Sequence, residues 1–229
     1  MTIQEKFEHE GAIFLSSVEE IATKLNDIRC FIFDWDGVFN KGIKSNDNGS
    51  SFAEPDSMGL NMLRFSYWLR HGSLPLIVIV SGANNITALD FAKREHINAV
   101  YLNSKNKQEV IAQLTNKYEV AQHQSLFVFD DIIDLNVAKI CSLSFCVRRS
   151  ASILFNDFVI ENKLCNYITA HGGGDYAVRE ITELIIGLYG NYNETISKRM
   201  EYKGPYEEYL SIRNSVAVNI QEIEPIKAK

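Results

Sequence analysis

The feature that most constrains the fold is an alternation between short apolar runs and longer amphipathic segments. The apolar runs are rich in β-branched and aromatic residues, as expected of strands buried on both faces, and they lie at 30–33, 76–80, 99–102, 126–129 and 143–147, with a candidate edge strand at 167–169. Amphipathic helical stretches lie between and after them, at 57–71, 85–95, 107–118 and 177–189. This alternation predicts an α/β fold in which helices flank a central parallel sheet.

Length and composition predict one main globular domain. The chain has 229 residues, of which 46% are hydrophobic and 23% charged, enough to bury a substantial core. We expect the domain to span 28–189, preceded by a helical extension at 1–27, with a helix near 18–25, and followed by a polar, aromatic tail at 190–229 that lacks a strand pattern. Neither end receives a function from its sequence.

Charge and composition also exclude several classes of partner. The net charge is −6 and there is no long Lys/Arg run, so nucleic acid is not expected to bind. No apolar run is long enough to cross a bilayer, which predicts a cytoplasmic protein without a membrane partner. The four cysteines form no CxxC pair and the five histidines show no metal-ligand spacing, so reduced core thiols are expected and a zinc site is not.

Acidic and hydroxyl side chains follow three of the predicted strands. Asp34 and Asp36 follow the first strand, Ser81 follows the second, and a later strand is followed by Asp130, Asp131 and Asp134. In an open parallel sheet, ligands bind in the crevice outside the carboxyl ends of the strands. We therefore expect these side chains to converge on one site.

A cluster of carboxylates needs a cation, because each negative charge raises the pKa of the others. Magnesium prefers octahedral oxygen ligation by one or two carboxylates, with water and substrate phosphate completing the shell. Asp34, Asp130 and the backbone carbonyl of Asp36 suit this ligation. The pattern predicts magnesium-dependent phosphate chemistry.

The motifs resemble those of the haloacid dehalogenase (HAD) phosphatases. FIFDWDGVFN carries their DxDGV signature, SGA stands where they have Ser or Thr after a strand, and FVFDDIIDL matches their GDDxxD motif, with Lys107 as their lysine. DGVFNKG, FAEPDSMGL, SKNK and GGGDYAVREI further resemble 3-deoxy-octulosonate 8-phosphate phosphatases and related sialic-acid-type sugar phosphatases. The resemblance covers roughly residues 28–188 and implies a HAD-like, Rossmann-like three-layer fold.

The resemblance also implies a role for each matching residue. Asp34 would be the nucleophile that attacks phosphorus, and Asp36 the general acid and base. Ser81 and Lys107 would hold the phosphoryl oxygens. Asp34, Asp36 and Asp130 would hold Mg²⁺, supported by Asp131 and Asp134, and the substrate would contact Asn40, Gly82 and Arg179.

The implied activity is hydrolysis of a phosphomonoester through an aspartyl-phosphate. The substrate class is a sugar-acid phosphate of lipopolysaccharide or sialic acid biosynthesis, such as 3-deoxy-octulosonate 8-phosphate or a nonulosonate 9-phosphate. Only 44 residues separate Asp36 from Ser81, which is too few for an inserted cap domain. Instead, residues 37–56, with the turn signal at 46–49, predict a β-hairpin flap.

The resemblance also implies an oligomer, because it is to capless members that form tetramers in which neighbouring subunits complete the pocket. The segment 172–179, which includes Gly173, matches the stretch that reaches toward a neighbour. A homo-oligomer, such as a tetramer, is therefore expected.

Several positions depart from the family pattern. Asn40 and Lys41 replace a hydroxyl and a carboxylate, while positive charges expected on the substrate side are replaced at Ala83, Asp90 and Phe91. Bulky side chains replace glycines at Phe129 and Tyr176. These departures leave open a second hypothesis, in which the chain keeps the fold and the metal but serves as a catalytically degenerate binding or assembly module.

Two further classes fit the pattern less well. A phosphoacceptor signalling domain needs its acceptor aspartate after a middle strand, whereas here the middle strands end at Ser81 and Asn103. The run at 171–174 resembles the oxyanion loop of lipases, but the chain has no G-x-S-x-G nucleophile elbow.

Overall fold

A computed structural model describes residues 1–43 and 50–222. Its strands are β1 (Ile13–Phe14), β2 (Cys30–Asp34), β3 (Leu76–Val80), β4 (Ala99–Leu102), β5 (Ser125–Phe129), β6 (Leu143–Cys146), β7 (Tyr167–Ile168) and β8 (Asn219–Glu222). Its helices are α1 (Ile3–His9), α2 (Val18–Leu25), α3 (Glu54–His71), α4 (Ile86–Arg94), α5 (Lys107–Tyr118), α6 (Leu135–Ala138), α7 (Ile153–Glu161), α8 (Ala177–Tyr189), α9 (Tyr192–Glu201) and α10 (Pro205–Asn214).

The strands form one sheet in the order β1-β7-β6-β5-β2-β3-β4-β8. Each neighbouring pair is parallel except β1 and β7, which are antiparallel. The predicted α/β fold with a central parallel sheet is therefore confirmed, with one antiparallel strand at an edge. Strand β2 lies between β5 and β3 in the middle of the sheet, so its carboxyl end adjoins the ends of both neighbours.

Helices cover both faces of the sheet. Along β2, Phe31 and Phe33 belong to the apolar core under α2, α3, α4 and α8, whereas Cys30 and Ile32 belong to the core under α5, α6 and α7. This alternation follows from the two-residue period of a strand. Both faces of β2 are buried, which explains its continuous apolar run.

The amino-terminal extension and the tail both take part in the sheet. Strand β1 pairs with β7, and β8 pairs in parallel with β4. The expectation that the tail lacks a strand was wrong: β8 is a short edge strand, and its Ile220 is partly exposed, so it has no continuous apolar run to mark it. Helices α9 and α10 pack on α3, where Tyr209 donates a hydrogen bond from its hydroxyl to Asn61 Oδ1 at 2.6 Å.

Other predictions concern segments with less distinctive patterns. The turn of the predicted β-hairpin flap, 46–49, lies outside the described residues, and the described residues beside it, 41–43 and 50–53, are not in a strand. Helix α7 was not predicted, because its sequence is apolar around most of the helix and has no polar face to mark it.

The cysteines at 30, 141, 146 and 165 are free thiols, as expected. Within residues 1–43 and 50–222, no helix has the length and apolarity needed to span a membrane.

Candidate active site

The carboxyl ends of the central strands bring the predicted acidic residues together. Asp34 is the last residue of β2, Ser81 follows β3, and Asp130 follows β5. A short 3-10 helix after β5, Ile132–Asp134, returns Asp134 to the same place. Asp34, Asp130 and Asp134 each offer a carboxylate oxygen within 4.8 Å of the others, and all three residues are buried.

Lys107, the first residue of α5, lies between two of these carboxylates. Its Nζ is 2.7 Å from Asp34 Oδ1 and 2.5 Å from Asp134 Oδ1, and its side chain is only 3% exposed. Burial lowers the pKa of Lys107, but the two carboxylates outweigh it, so the pKa is raised. Burial raises the pKa of Asp34, although Lys107 opposes that shift. The nearby Lys105 is exposed.

Asp130 is a second buried carboxyl group with a raised pKa. Burial, reinforced by the Asp34 carboxylate, raises the pKa of Asp130 to about 8. Arg149, which follows β6 and has a side chain 40% exposed, donates a hydrogen bond from Nη2 to Asp130 Oδ2 and opposes this shift. Burial and Asp34 likewise raise the pKa of Asp134 to about 7.

The donor set of the cluster fits a hard divalent cation. Among the described residues, the fully buried Asp134 Oδ2 has no hydrogen-bond donor, and the pKa values of Asp130 and Asp134 show that the site favours additional positive charge. Three ionised carboxylates outnumber the two cations that pair with them, Lys107 and Arg149, so the cluster keeps a negative charge that a cation would offset. Oxygen ligands in this number suit Mg²⁺.

Asp131 lies at the rim. Its side chain is 46% exposed, with Oδ2 at 3.8 Å from Arg149 Nη1, and its Oδ1 accepts a hydrogen bond from the backbone N–H of Ile132 at 2.7 Å. Asp131 thus caps and stabilises the start of the 3-10 helix that carries Asp134.

A second group of polar side chains surrounds Asp36. Its Oδ1 accepts a hydrogen bond from Ser50 Oγ and its Oδ2 accepts one from Asn85 Nδ2, both at 2.8 Å. Asn85 Nδ2 also donates to Ser81 Oγ at 2.7 Å. Thr87 Oγ1 in turn donates to the carbonyl of Ser50 at 2.6 Å. Asp36 and Ser81 are thus linked through one buried amide.

The predicted substrate contacts lie in different places. Asn40 is buried and braces the loop after β2: its Nδ2 donates to the carbonyl of Trp35 at 3.1 Å and its Oδ1 accepts from the N–H of Gly42 at 2.8 Å. Gly82 lies directly after Ser81 and is partly exposed. Arg179 is on α8, where its Nη2 is 2.7 Å from Glu183 Oε1.

The glycine loop after β7 packs against the loop after β2 of the same chain. A Cβ atom added to Gly173 would overlap the carbonyl groups of Gly37 and Asn40. Gly37 itself has φ +83° and lies so close to Asp130 and Arg149 that a side chain would collide with both. These two contacts require glycine at both positions.

A cavity of about 280 Å³ opens beside this contact. It is lined by the following residues: Gly37, Asn40, Lys41, Arg148, Arg149, Ser150, Gly172, Gly173 and Asp175. Lys41 Nζ is 2.9 Å from Asp175 Oδ1, and both side chains are mostly exposed. The cavity is therefore predominantly cationic and adjoins the acidic cluster through Arg149.

Packing accounts for part of the departure from the family motifs. Phe91 is fully buried and packs on Trp35 and Phe39, with ring centroids 5.5 and 5.1 Å apart, and on Phe52 at 4.8 Å. Phe129 is buried and stacks on Phe127 with centroids 5.7 Å apart. Both aromatic rings fill core space. Tyr176 has a left-handed φ of 72° and is half exposed, and Ala83 and Asp90 lie toward solvent.

Sequence reasoning did not identify Arg149, Ser50 or Asn85. Arg149 lies in an irregular segment after β6, and Ser50 lies in a polar loop, so neither belongs to a periodic pattern. Asn85 is the first residue of the predicted helical stretch 85–95, four residues after Ser81. Nothing in that pattern indicated a contact with Asp36.

Comparison with known proteins agrees with this architecture. No protein-family model matches the chain. The 3-deoxy-D-manno-octulosonate 8-phosphate phosphatase of Escherichia coli K12 is 26% identical over 178 residues, which cover 76% of this chain and 88% of that protein.

Two solved structures share the fold. A Legionella pneumophila protein assigned to subfamily III A of the HAD hydrolases superposes with a TM-score of 0.66 and 23% identity, over 80% of this chain and 95% of that one. The 3-deoxy-D-manno-octulosonate 8-phosphate phosphatase of Moraxella catarrhalis, solved with magnesium, phosphate and KDO, has a TM-score of 0.66 and 24% identity, over 80% and 99%.

The parallel sheet, with its acidic cluster at the carboxyl ends of the central strands, gives the chain the fold of the HAD superfamily of hydrolases, the class to which it is similar. Within that class the chain is similar to the 3-deoxy-D-manno-octulosonate 8-phosphate phosphatases.

Proposed function

We propose that the chain is a Mg²⁺-dependent phosphomonoester hydrolase that works through an aspartyl-phosphate on Asp34. The observation that carries this proposal is the position of Asp34, whose Oδ1 is 2.7 Å from Lys107 Nζ and which shares a buried cluster with Asp130 and Asp134. A carboxylate nucleophile needs nearby positive charge to approach an anionic phosphoryl group.

The first chemical step transfers the phosphoryl group to Asp34. One carboxylate oxygen of Asp34 attacks phosphorus while the bond from phosphorus to the substrate oxygen breaks. Asp36 gives its proton to the leaving oxygen, so an alcohol departs. Ser81 and Lys107 hold the phosphoryl oxygens.

The second step restores the protein. Asp36, now ionised, takes a proton from a water molecule whose oxygen attacks phosphorus. The acyl-phosphate bond breaks, inorganic phosphate leaves, and Asp34 is again a carboxylate. General acid and base help of this kind is worth roughly 10² to 10⁴ in rate.

The metal would be held by Asp34, Asp130 and the backbone carbonyl of Asp36, with Asp131 and Asp134 in support. The buried Asp134 Oδ2, which has no donor among the described residues, makes Asp134 a further candidate ligand. Bound Mg²⁺ would offset the negative charge of the phosphoryl group during transfer.

We infer a sugar-acid phosphate as the substrate, such as 3-deoxy-octulosonate 8-phosphate or a nonulosonate 9-phosphate. Two observations support this inference: the E. coli relative is named for 3-deoxy-D-manno-octulosonate 8-phosphate, and a cationic cavity adjoins the cluster. The remaining substrate contacts would come from Gly82 and from Asn40, which shapes the loop. Arg179 stays a prediction that would require its pair with Glu183 to open.

A homo-oligomer, such as a tetramer, and a cytoplasmic location complete the proposal. Five large apolar side chains are exposed after β5 and along α7, as expected of a surface that another subunit covers: Ile132, Ile133, Ile153, Leu154 and Phe158. Light scattering coupled to size-exclusion chromatography would measure the oligomer, and a monomer at micromolar concentration would contradict the expectation.

A catalytically degenerate binding module is the second candidate. The observation in its favour is Arg149, whose guanidinium already pairs with Asp130, a predicted metal ligand. In such a module the arginine would offset one negative charge of the cluster in place of a metal.

Phosphate release by the purified protein separates the two candidates. The panel contains 3-deoxy-octulosonate 8-phosphate, nonulosonate 9-phosphates, simple sugar phosphates and p-nitrophenyl phosphate, each with Mg²⁺ and with chelator. We expect turnover that chelator abolishes and that Asp34→Asn eliminates without unfolding the protein. The matched control is Asp27→Asn, an exposed aspartate before β2, at the opposite end of the strand.

Turnover by Asp34→Asn would refute the nucleophile assignment. If the folded wild-type protein releases no phosphate from any substrate of the panel, with or without Mg²⁺ bound, the result would favour the degenerate binding module.

A further inference from the structure

Asn85 occupies an unusual position for a residue that precedes a helix. It is the N-cap residue of α4, yet its side chain makes no capping hydrogen bond to that helix. An N-cap asparagine ordinarily accepts a hydrogen bond from a backbone N–H in the first turn. The Asn85 side chain is buried and turned instead toward the ends of β2 and β3.

The amide of Asn85 connects two residues of the proposed mechanism. Its Nδ2 carries two hydrogens, and it lies 2.8 Å from Asp36 Oδ2 and 2.7 Å from Ser81 Oγ. Asp36 follows β2 and Ser81 follows β3, so the backbone alone leaves the relative position of these two side chains unset. One planar group with both hydrogens engaged can set it.

The contact determines what Ser81 can offer a substrate. Ser81 Oγ accepts hydrogen bonds from Asn85 Nδ2 and, at 3.2 Å, from the N–H of Ala83. A hydroxyl has two acceptor sites and one hydrogen. With both acceptor sites taken, the hydrogen of Ser81 is directed outward as a donor, which matches a phosphoryl oxygen that can only accept.

The contact also suits a residue that must exchange a proton. Asn85 and Ser50 each donate a hydrogen bond to a different oxygen of the Asp36 carboxyl group. A neutral amide fixes the orientation of the carboxyl group and does not itself gain or lose a proton.

We propose that Asn85 is a positioning residue that aligns Asp36 for proton transfer and Ser81 for phosphoryl binding. This proposal rests on the proposed phosphatase function. Thr87, which donates to the carbonyl of Ser50 at 2.6 Å, extends the same arrangement. The first turn of α4 and Ser50 thereby hold Asp36 as one unit.

Two substitutions separate positioning from helix capping. Aspartate and serine are both good N-cap residues, so Asn85→Asp and Asn85→Ser should preserve the fold. Asp has no N–H donor and would face Asp36 with a second carboxylate, while Ser has a single hydrogen for two acceptors. The matched control is Asn84→Asp at the neighbouring, exposed asparagine.

The assay measures kcat and KM with the best substrate of the panel, together with the binding of inorganic phosphate in Mg²⁺ by isothermal titration calorimetry. We expect Asn85→Asp to lower kcat by about 100-fold or more, the scale of lost acid and base help, with a smaller change in KM. Phosphate binding should weaken in Asn85→Asp, Asn85→Ser should be intermediate, and Asn84→Asp should match the wild type.

The leaving group provides a readout that a structural role would not move. In single-turnover experiments, transfer from a sugar phosphate needs a proton on the departing alcohol, whereas p-nitrophenolate departs without one. The Asn85→Asp loss should therefore be larger for the sugar phosphate than for p-nitrophenyl phosphate.

Three results would overturn the proposal. A folded Asn85→Asp with kcat within threefold of the wild type would refute it, as would equal losses for the two leaving groups. A wild-type protein that neither turns over the panel nor binds phosphate would instead refute the proposed function, and the role of Asn85 with it.

Discussion

Replacing Lys107 with methionine should destabilise the metal-free protein strongly. Lys107, Asp34 and Asp134 have side-chain exposures of 3%, 7% and 0%, and the two ion-pair distances are 2.7 and 2.5 Å. Lys107→Met keeps most of the volume but leaves two buried carboxylates with no ammonium between them. Removing one partner of a buried ion pair typically costs about 3–5 kcal/mol.

Proton uptake sets an upper limit to this cost. A carboxyl group with an ordinary pKa of about 3.9 can be neutralised at pH 7 for about 4 kcal/mol. The variant can relieve its buried charge in that way, so the loss per carboxylate should not exceed this value. We expect a decrease of about 3–4 kcal/mol in the free energy of unfolding at pH 7, and a smaller decrease at pH 5, where protonation is easier.

Urea unfolding in chelator, followed by circular dichroism, measures this loss. Lys105→Met is the matched control, because Lys105 is exposed two residues earlier in the chain, and its loss should be below about 0.5 kcal/mol. Added Mg²⁺ should restore part of the stability of Lys107→Met, since a divalent cation supplies the missing positive charge. Equal and small losses in the two variants would refute the assignment of Lys107 to the cluster.

Substitutions at Arg149, Asp56 and Gly173 should each have a measurable effect on metal binding, stability or activity. Arg149→Ala should tighten Mg²⁺ binding by about three- to tenfold, because the partly exposed guanidinium competes with the metal for Asp130 and that ion pair is worth roughly 1 kcal/mol. Calorimetry measures the binding, with Arg148→Ala as the control. Weaker Mg²⁺ binding in Arg149→Ala would contradict the competition between guanidinium and metal. Burial raises the pKa of Asp56 from 3.8 to about 6, so its stabilising contribution is complete below its unfolded pKa and is lost as the pH rises through its folded pKa. As the pH rises from 4 to 7.5, the free energy of unfolding of Asp56→Asn should therefore increase by about 2–3 kcal/mol relative to that of the wild type. Urea unfolding across this pH range measures the difference, and parallel curves of stability against pH would refute the prediction. Gly173→Ala should lower both the melting temperature and phosphate release, because its Cβ would overlap the backbone of the loop after β2; unchanged values for both would contradict this packing.

The sequence predicted the centre of the sheet well because burial there is uniform. Strands β2 to β6 are covered by helices on both faces, so each is a mostly apolar run, interrupted inside a strand only by Ser144 in β6. Their ends place Asp34, Ser81 and Asp130 together without any information about side-chain contacts. The acidic cluster follows from topology, and topology follows from the hydrophobic pattern.

The periphery was less predictable because partial burial weakens the pattern. Strand β1 has two residues, both half buried, and β8 lies at the other edge with Ile220 toward solvent. Neither has the run or the alternation that marks a strand. Their places depend on β7 and β4, the neighbours to which they pair, and such pairing is long-range information that no local pattern carries.

The same distinction explains which residues of the site went unrecognised. Residues at strand ends are positioned by the sheet, so their spacing along the chain is informative. Arg149, Ser50 and Asn85 reach the site from loops and from a helix start, and only the folded path of those segments brings them to Asp130 and Asp36.

Arg149 also bears on the positive charges that the family motifs carry and that this chain lacks at Ala83, Asp90 and Phe91. Phe91 fills the aromatic core beside Trp35, so that position has no room for an arginine, and positive charge enters the site from the opposite side, after β6. A substrate anion that binds Arg149 would have to draw the guanidinium away from Asp130. Because this frees the Asp130 carboxylate for the metal, binding of the substrate to Arg149 and binding of the metal to Asp130 should favour each other.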